Sequence, residues 1–450
     1  MKTIDYPTAT ASELAKALRK GKVTSLELTN TAIARIEAMD GAINAVIVRD
    51  FAAARKAAKA ADVRLAKGER APLLGVPMTV KESYDLTGYP STWGLERLAN
   101  HKAEADAVVV QRLKAAGAII LGKTNVPPNL ADWQSDNPVY GRCNNPRDLT
   151  RSPGGSSGGG AAALAAGFVP LEMGGDIGGS IRIPATFCGV FGHKTSYGIV
   201  PMVGHTLGGG KSAPSPLSVG GPLARSAEDL DLALSIVAGP TGDDAKAWRL
   251  ELPPPRYKKL SDYKLLVFDS HPSAATSRDV KTAMGELSAD LQAAGATVVH
   301  ESDLLPDLAV LHGVYLKMLL TVTTRREQDR RAPITAHDWM DLLDTQAQIR
   351  REWATLFETF DAVICPAFGT TAFPHTPEPD WRKRTLLIDG EETPYGDQLA
   401  WQGMAILAHL PSTAVPLGLS SDGLPIGAQI MGGFLEDRTT IALAGMIRPR

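Results

Sequence analysis

Two glycine-flanked serines, Ser156 and Ser180, stand 24 residues apart in the stretches Arg151–Ala165 (RSPGGSSGGGAAALA) and Glu172–Ala185 (EMGGDIGGSIRIPA). Upstream, Lys81 ends the apolar run of Gly75–Asp85 (GVPMTVKESYD). A serine hydroxyl is a poor nucleophile near neutral pH and needs a base. No histidine and aspartate set accompanies these serines, so the base to consider is the lysine. It serves only when neutral, which means bringing its pKa from about 10.4 to near 7, at roughly 4 kcal/mol of desolvation and hydrogen bonding. The strand-like Val76–Val80 would carry the Lys81 amine inward. An isolated lysine is otherwise mostly a surface residue.

The glycines suggest the second half of the chemistry. Gly174, Gly175, Gly178 and Gly179 surround the approach to Ser180. Glycines let successive N–H groups converge on one point, a nest that can hold the oxyanion of a tetrahedral intermediate. The amides of Ile177, Gly178, Gly179 and Ser180 are the candidates. A flexible loop and a phosphate cradle are the alternatives. Ser156 and Ser157 lead into Ala161–Ala166 (AAALAA), a helix former. Glycine beside serine at a helix entry admits unusual backbone, including a non-proline cis bond that only function would retain. The simpler reading is that the two serines cap the helix.

Three further patterns fail on inspection. Gly155–Gly159 fits G-x-S-x-G around Ser157, but Asn145–Gly154 (NPRDLTRSPG) is no strand, and His375 and His409 have no distinctive setting. Ser261–Lys264 fits S-x-x-K without the motifs that accompany it. Gly210-Lys211-Ser212 resembles the end of a phosphate-binding loop, yet His205 stands where that motif needs glycine.

The elements that must position these groups alternate. Thr24–Ala38 has Thr24 and Glu27 in capping-box register, and Phe51–Ala66 is a helix by propensity. Gly75–Val80 and Ala118–Lys123 read as strands around a helix at Ala107–Gly117. Residues 137–220 are rich in Gly, Pro, Ser and Asn and show few periodic segments. Helix returns at Ala227–Gly239, and 239–262 reads as a surface connection. Beyond it come a strand (Lys264–Asp269), a helix (Arg278–Ala294), a strand (Ala296–His300) and a mostly helical 308–360. Strands at Asp361–Ala367, Pro411–Leu419 and Pro425–Gly432 follow, the last two as a hairpin. Residues 369–396 read as a loop able to cover a site. This rhythm predicts an α/β fold.

Composition narrows the class. The chain has 450 residues, 44% hydrophobic and 21% charged, with a net charge of −2, an ordinary globular balance without the basic footprint of a nucleic-acid or acidic-lipid binder. No apolar leader and no run of about 18 apolar residues is present, so neither a signal peptide nor a membrane helix is expected. Cys143, Cys188 and Cys365 fit no zinc or disulfide spacing and read as free thiols of a reducing compartment, which predicts a cytoplasmic protein. No metal or cofactor is expected.

Taken together, Val80–Ser83 (VKES), Asn125, the Asn137-Pro138 and Asn145-Pro146 pairs, Arg151–Gly159, Asp176–Ala185 (DIGGSIRIPA), Cys188–Gly198 (CGVFGHKTSYG) and Gly221–Leu230 (GPLARSAEDL) resemble the amidase signature family. The resemblance is most specific between about 75 and 235 and extends over nearly the whole chain. It implies one α/β/α domain over 1–450, with a central mixed twisted sheet flanked by helices and a catalytic core at about 70–235. It also implies that Ser180 is the nucleophile, Ser156 a cis-serine and Lys81 the base, with Ile177, Gly178, Gly179 and the Ser180 amide as oxyanion hole. Ser157, Asp176 and Arg182 match buttressing positions. Two departures, Glu82 for the usual Asp and Thr195 for the usual Pro, flank the site without supplying its chemistry.

The implied activity is hydrolysis of the C–N bond of small-molecule amides through an acyl-enzyme, with aryl and alkyl amides, anilides, esters and carbamates as the substrate range. Met202, Val203 and Leu207 are candidate apolar walls of the acyl pocket, and Trp133, Trp381 and Trp401 candidate aromatic surface. Core packing is the competing reading for each. The partner expected is the amide substrate, with no nucleic acid and no membrane; a homodimer is left open. The alternative function is the A-type glutaminase component of a tRNA-dependent amidotransferase, which would need a protein partner.

Overall fold

The computed structural model describes residues 4–207, 213–324 and 334–447. Gly210-Lys211-Ser212 lies outside them, as do parts of the 200–217 and 308–360 segments. The Thr24–Glu27 capping box forms in both directions and starts the helix Ser25–Ile43, and Asp50 caps Phe51–Ala66. The N-terminal helix Ala11–Arg19 starts on the same kind of capping box, Thr10 with Glu13, and is also anchored from a distance. The buried Asp229 carboxylate accepts from the N–H groups of Ala11 and Ser12.

An eleven-stranded mixed sheet runs through the molecule. Across it lie Val46–Arg49, Ile119–Thr124, Pro77–Lys81, Leu171–Asp176, Val219–Ala224, Phe191–Lys194, Ser412–Leu419, Pro425–Met431, Ala362–Pro366, Lys264–Val267 and Thr297–Val299. Pro77–Lys81 pairs in parallel with both of its neighbours, whereas the centre is antiparallel. The expected hairpin joins Ser412–Leu419 to Pro425–Met431. This is the expected α/β domain with a mixed sheet flanked by helices.

The largest difference from the sequence reading lies in the centre. Leu171–Asp176, Phe191–Lys194 and Val219–Ala224, all within or at the edge of the glycine-rich region, are interior strands of the sheet. Their sequences, LEMGGD, FGHK and VGGPLA, contain Gly and Pro, residues depleted in strands. Neighbours on both sides supply the ladder that local propensity does not.

Two apolar cores share the short helix Arg182–Cys188. Ala185 packs into the one that holds the N-terminal helices and the Ala161–Leu164 stretch. Ile183 and Phe187 pack into the other, with the helices Leu308–Thr324, Ala336–Thr359 and Leu399–Leu407. Residues 369–396 are partly ordered as a hairpin, Thr385–Ile388 with Glu391–Pro394, rather than a plain loop. This segment is tied down beside the first serine stretch. Ser152 N–H donates to Phe373 C=O, Thr376 N–H to Gln134, and Arg384 and Tyr395 both bind Asp132.

Candidate active site

Parallel pairing brings the key groups together. Pro77–Lys81 and Leu171–Asp176 run side by side, so Lys81 and the Asp176–Ser180 turn emerge at the same edge of the sheet, where α/β proteins place their ligands. The Ser156 loop is held against that edge by short bonds. Ser152 Oγ donates to Trp133 C=O, Ser135 Oγ to Gly154 C=O, and Ser157 N–H to Ser180 C=O at 3.1 Å. The Gly155–Ser156 peptide bond is cis.

Lys81 Nζ and Ser156 Oγ are hydrogen-bonded at 2.7 Å. Burial increases from nucleophile to base: Ser180 is 5% exposed, Ser156 and Lys81 each 1%. Among the described residues the Ser180 hydroxyl has no hydrogen-bond partner and so is free to meet a substrate. Burial pulls the Lys81 amine down to about 7, against the charges of Asp176 and Glu172, which push it up. Burial also raises Glu172 to about 8 although Thr79 and Thr124 donate to its carboxyl. Glu172 is a site residue that the sequence reading did not single out; a glutamate in a glycine-rich strand was the available signal.

Below the second serine stretch lies a buried polar hub. Asp176 accepts from Gly179 N–H at 2.8 Å, from Ile181 N–H at 3.1 Å, and from Arg182 Nε and Nη2. Burial alone would raise this carboxyl, but the Arg182 guanidinium and the Ile181 amide hold it below the usual carboxylate range. Arg182 Nη1 donates to Gln429 Oε1 at 2.6 Å, and Gln429 Nε2 donates to the carbonyls of Pro366 and Trp401. Gln429 was also missed; a polar residue inside the apolar strand Pro425–Met431 was its signal. Breaking a buried ion pair leaves an uncompensated charge. Asp176→Asn is therefore expected to lower stability by about 3–5 kcal/mol, read by urea denaturation.

The four expected oxyanion donors separate on inspection. The Gly179 N–H is bonded to Asp176, which ties it into the turn. Its φ of +88° and the 2.6 Å approach of Gln402 to any added Cβ make glycine necessary there. Among the described residues no hydrogen bond occupies the N–H groups of Ile177, Gly178 or Ser180. Ser157 is fully buried, with Oγ 3.4 Å from the backbone of Gly175, and among the described residues no histidine bonds it, which weighs against the elbow reading.

The candidate pocket residues divide. Trp133 reaches the site, its Nε1 donating to Gly178 C=O at 2.9 Å. Val203 is 59% exposed, and its carbonyl accepts from Val108 N–H at the start of the helix Val108–Ala115. Met202 and Leu207 are half-buried, and Met202 packs toward Gly220. Trp401 is fully buried between Phe268 and His271, whereas Trp381 packs on Gly396 in the hairpin region. His205 bonds Ser83 at 2.8 Å, edges Tyr84 and is held to about 3 by burial and the nearby Lys81 charge. His409 touches neither serine; it stacks on Tyr197 and bonds Gln346 and Pro216 C=O. Two surface cavities, about 440 Å³ beside His271 and Asp397 and about 320 Å³ along the helix Phe51–Ala66, contain none of the catalytic candidates. Among the described residues no helix is long and apolar enough to cross a membrane.

A buried lysine, two serines on converging loops and a row of open amides are the kinds of group that acyl transfer to a serine requires. The Amidase family profile matches residues 27–344 and 317–441, and the chain belongs to the amidase signature family. It is 32% identical to the A-type component of the glutamyl-tRNA(Gln) amidotransferase of Roseiflexus castenholzii, over 96% of this chain and 94% of that protein. It is 33% identical to AmiB2 of Mycobacterium bovis, whose name gives it as a candidate amidase, over 99% and 97%. A solved structure described as a vestigial protein complex revealing the origins of an s-triazine catabolic enzyme is 29% identical, covers 97% of both chains and superposes with a TM-score of 0.83.

Proposed function

We propose that the chain hydrolyses the C–N bond of small-molecule amides, with Lys81 as base, Ser156 as relay and Ser180 as nucleophile. The observation that carries this is the 2.7 Å bond between Ser156 and a lysine whose burial brings its pKa to about 7. Neutral Lys81 takes the Ser156 proton, Ser156 takes that of Ser180, and Ser180 Oγ adds to the substrate carbonyl carbon. The oxyanion so formed is received by the amides of Ile177, Gly178 and Ser180. The proton then returns through Ser156 to the amide nitrogen, the C–N bond breaks and the amine leaves. Water, deprotonated by the same relay, cleaves the acyl-enzyme and restores Ser180. The segment 369–396 is fixed beside Trp133 and the Ser156 loop, through Ser152 N–H to Phe373 C=O and Thr376 N–H to Gln134.

The decisive test is a panel of anilides, alkyl amides, esters and carbamates incubated with the purified chain and read by mass spectrometry, with a serine-directed phosphonate to locate the nucleophile. Turnover of simple amides and labelling at Ser180 are expected. Labelling at Ser157 or no amide turnover overturns the reading. The identity to an amidotransferase component favours one second reading, a glutaminase working within a complex, which predicts glutamine as the only amide turned over and a protein partner that co-purifies.

The pH profile follows from the base. Lys81 acts when deprotonated, and its pKa is about 7. Thus kcat/KM is expected to rise tenfold per pH unit below that value and level off above it. A profile flat from pH 5 to 9 rules out Lys81 as the base.

A further inference from the structure

We infer that Tyr315, from the helix Leu308–Thr324, is a positioning residue that aims an oxyanion donor, an inference that rests on the reading of Ser180 as nucleophile. Its hydroxyl donates to Ile177 C=O at 2.8 Å. In a trans peptide, the C=O of one residue and the N–H of the next point to opposite sides of one rigid plane. Fixing Ile177 C=O toward the helix therefore fixes Gly178 N–H away from it, and no hydrogen bond among the described residues occupies that N–H. Tyr315 itself is fully buried in the second core and cannot touch a substrate from there.

The next peptide plane provides an internal contrast. Trp133 Nε1 fixes Gly178 C=O in the same way, at 2.9 Å. The N–H on the other side of that plane belongs to Gly179 and is already held by Asp176. The two aromatic donors thus grip consecutive carbonyls, but only the one on Ile177 directs an N–H that is open to the reaction. Nothing in the amino-acid pattern near Tyr315 signals this; it lies 135 positions beyond Ser180 and meets it only through the packing of the helix Leu308–Thr324 on the Asp176–Ser180 turn.

The test is Tyr315→Phe, which keeps the ring and removes the hydroxyl, assayed on the best anilide after phosphonate titration to count intact sites. Outright removal of an oxyanion donor costs about 10²–10³ in kcat, so loss of its aim is expected to lower kcat about tenfold, with KM changed less than about twofold. Affinity for a trifluoromethyl ketone, which Ser180 adds to as a tetrahedral oxyanion, should fall by the same factor as kcat/KM. A residue that only packs would not move those two quantities together. Unchanged kcat, a rise confined to KM, or ketone affinity equal to that of the unsubstituted protein each overturns the inference. If the unsubstituted protein is active, Ser180→Ala is inactive and Tyr315→Phe is unchanged, this inference alone fails. If hydrolysis does not depend on Ser180, both readings fail.

Discussion

Ser180→Ala is expected to abolish amide hydrolysis, lowering kcat/KM by about four orders of magnitude or more. What remains in such a variant is the binding of substrate and the oxyanion donors, which alone give only a small fraction of a serine hydrolase's acceleration. The variant should otherwise resemble the parent. Ser180 Oγ bonds nothing among the described residues, so removing it leaves no buried donor or acceptor unsatisfied, and the unfolding midpoint should not move. The measurement is kcat and KM on the best substrate of the panel, with urea denaturation alongside. A variant that keeps a tenth of the parent's kcat excludes Ser180 as the nucleophile.

Lys81→Met is expected to cost about 10³–10⁴ in kcat while making the protein more stable near neutral pH. Methionine matches the length of the buried chain but neither accepts a proton nor bonds Ser156. The gain in stability follows from the sign of the pKa shift. Folding lowers the Lys81 pKa to about 7 through burial, while the unfolded chain keeps an ordinary lysine. Between about 7 and 10 the unfolded state therefore binds more protons, and stability of the parent rises with pH across that window. Below it the full penalty stands, a few kcal/mol by the same linkage, less the hydrogen bond to Ser156. Lys81→Met should accordingly be stabilised most at pH 6 to 7, with the difference shrinking toward pH 10, as read by urea denaturation at both ends. Combining it with Ser180→Ala should cost little beyond the Ser180 change alone, because residues of one relay fail together. A lysine variant that is less stable at pH 6 and fully active would show that Lys81 is a packing residue.

Much of this site was legible before any coordinates. Ser156, Ser180, Lys81, Asp176 and Arg182 carry their chemistry in residue type and in the glycines around them. The structure adds the bonds that link Lys81 to Ser156 and Arg182 to Asp176. It also adds that Gly179 N–H is bonded to Asp176 and that Val203 is exposed. Helices with strong local signals, Ser25–Ile43 and Phe51–Ala66, were equally readable, because caps and alanine-rich turns act within a few residues.

By itself the sequence determined the kinds of groups available: a lysine behind an apolar strand, two serines set in glycine, an acid and a base six residues apart at Asp176 and Arg182. Only the tertiary structure decided what those groups are worth. The Lys81 pKa is set by desolvation, which depends on everything packed around the amine and on nothing local to it. The strand Leu171–Asp176, poor in strand formers, exists because Pro77–Lys81 and Val219–Ala224 pair with it on either side. Gln429 and Tyr315 reach the Ser180 turn from 249 and 135 positions downstream, respectively, and contacts between segments so far apart arise from packing alone.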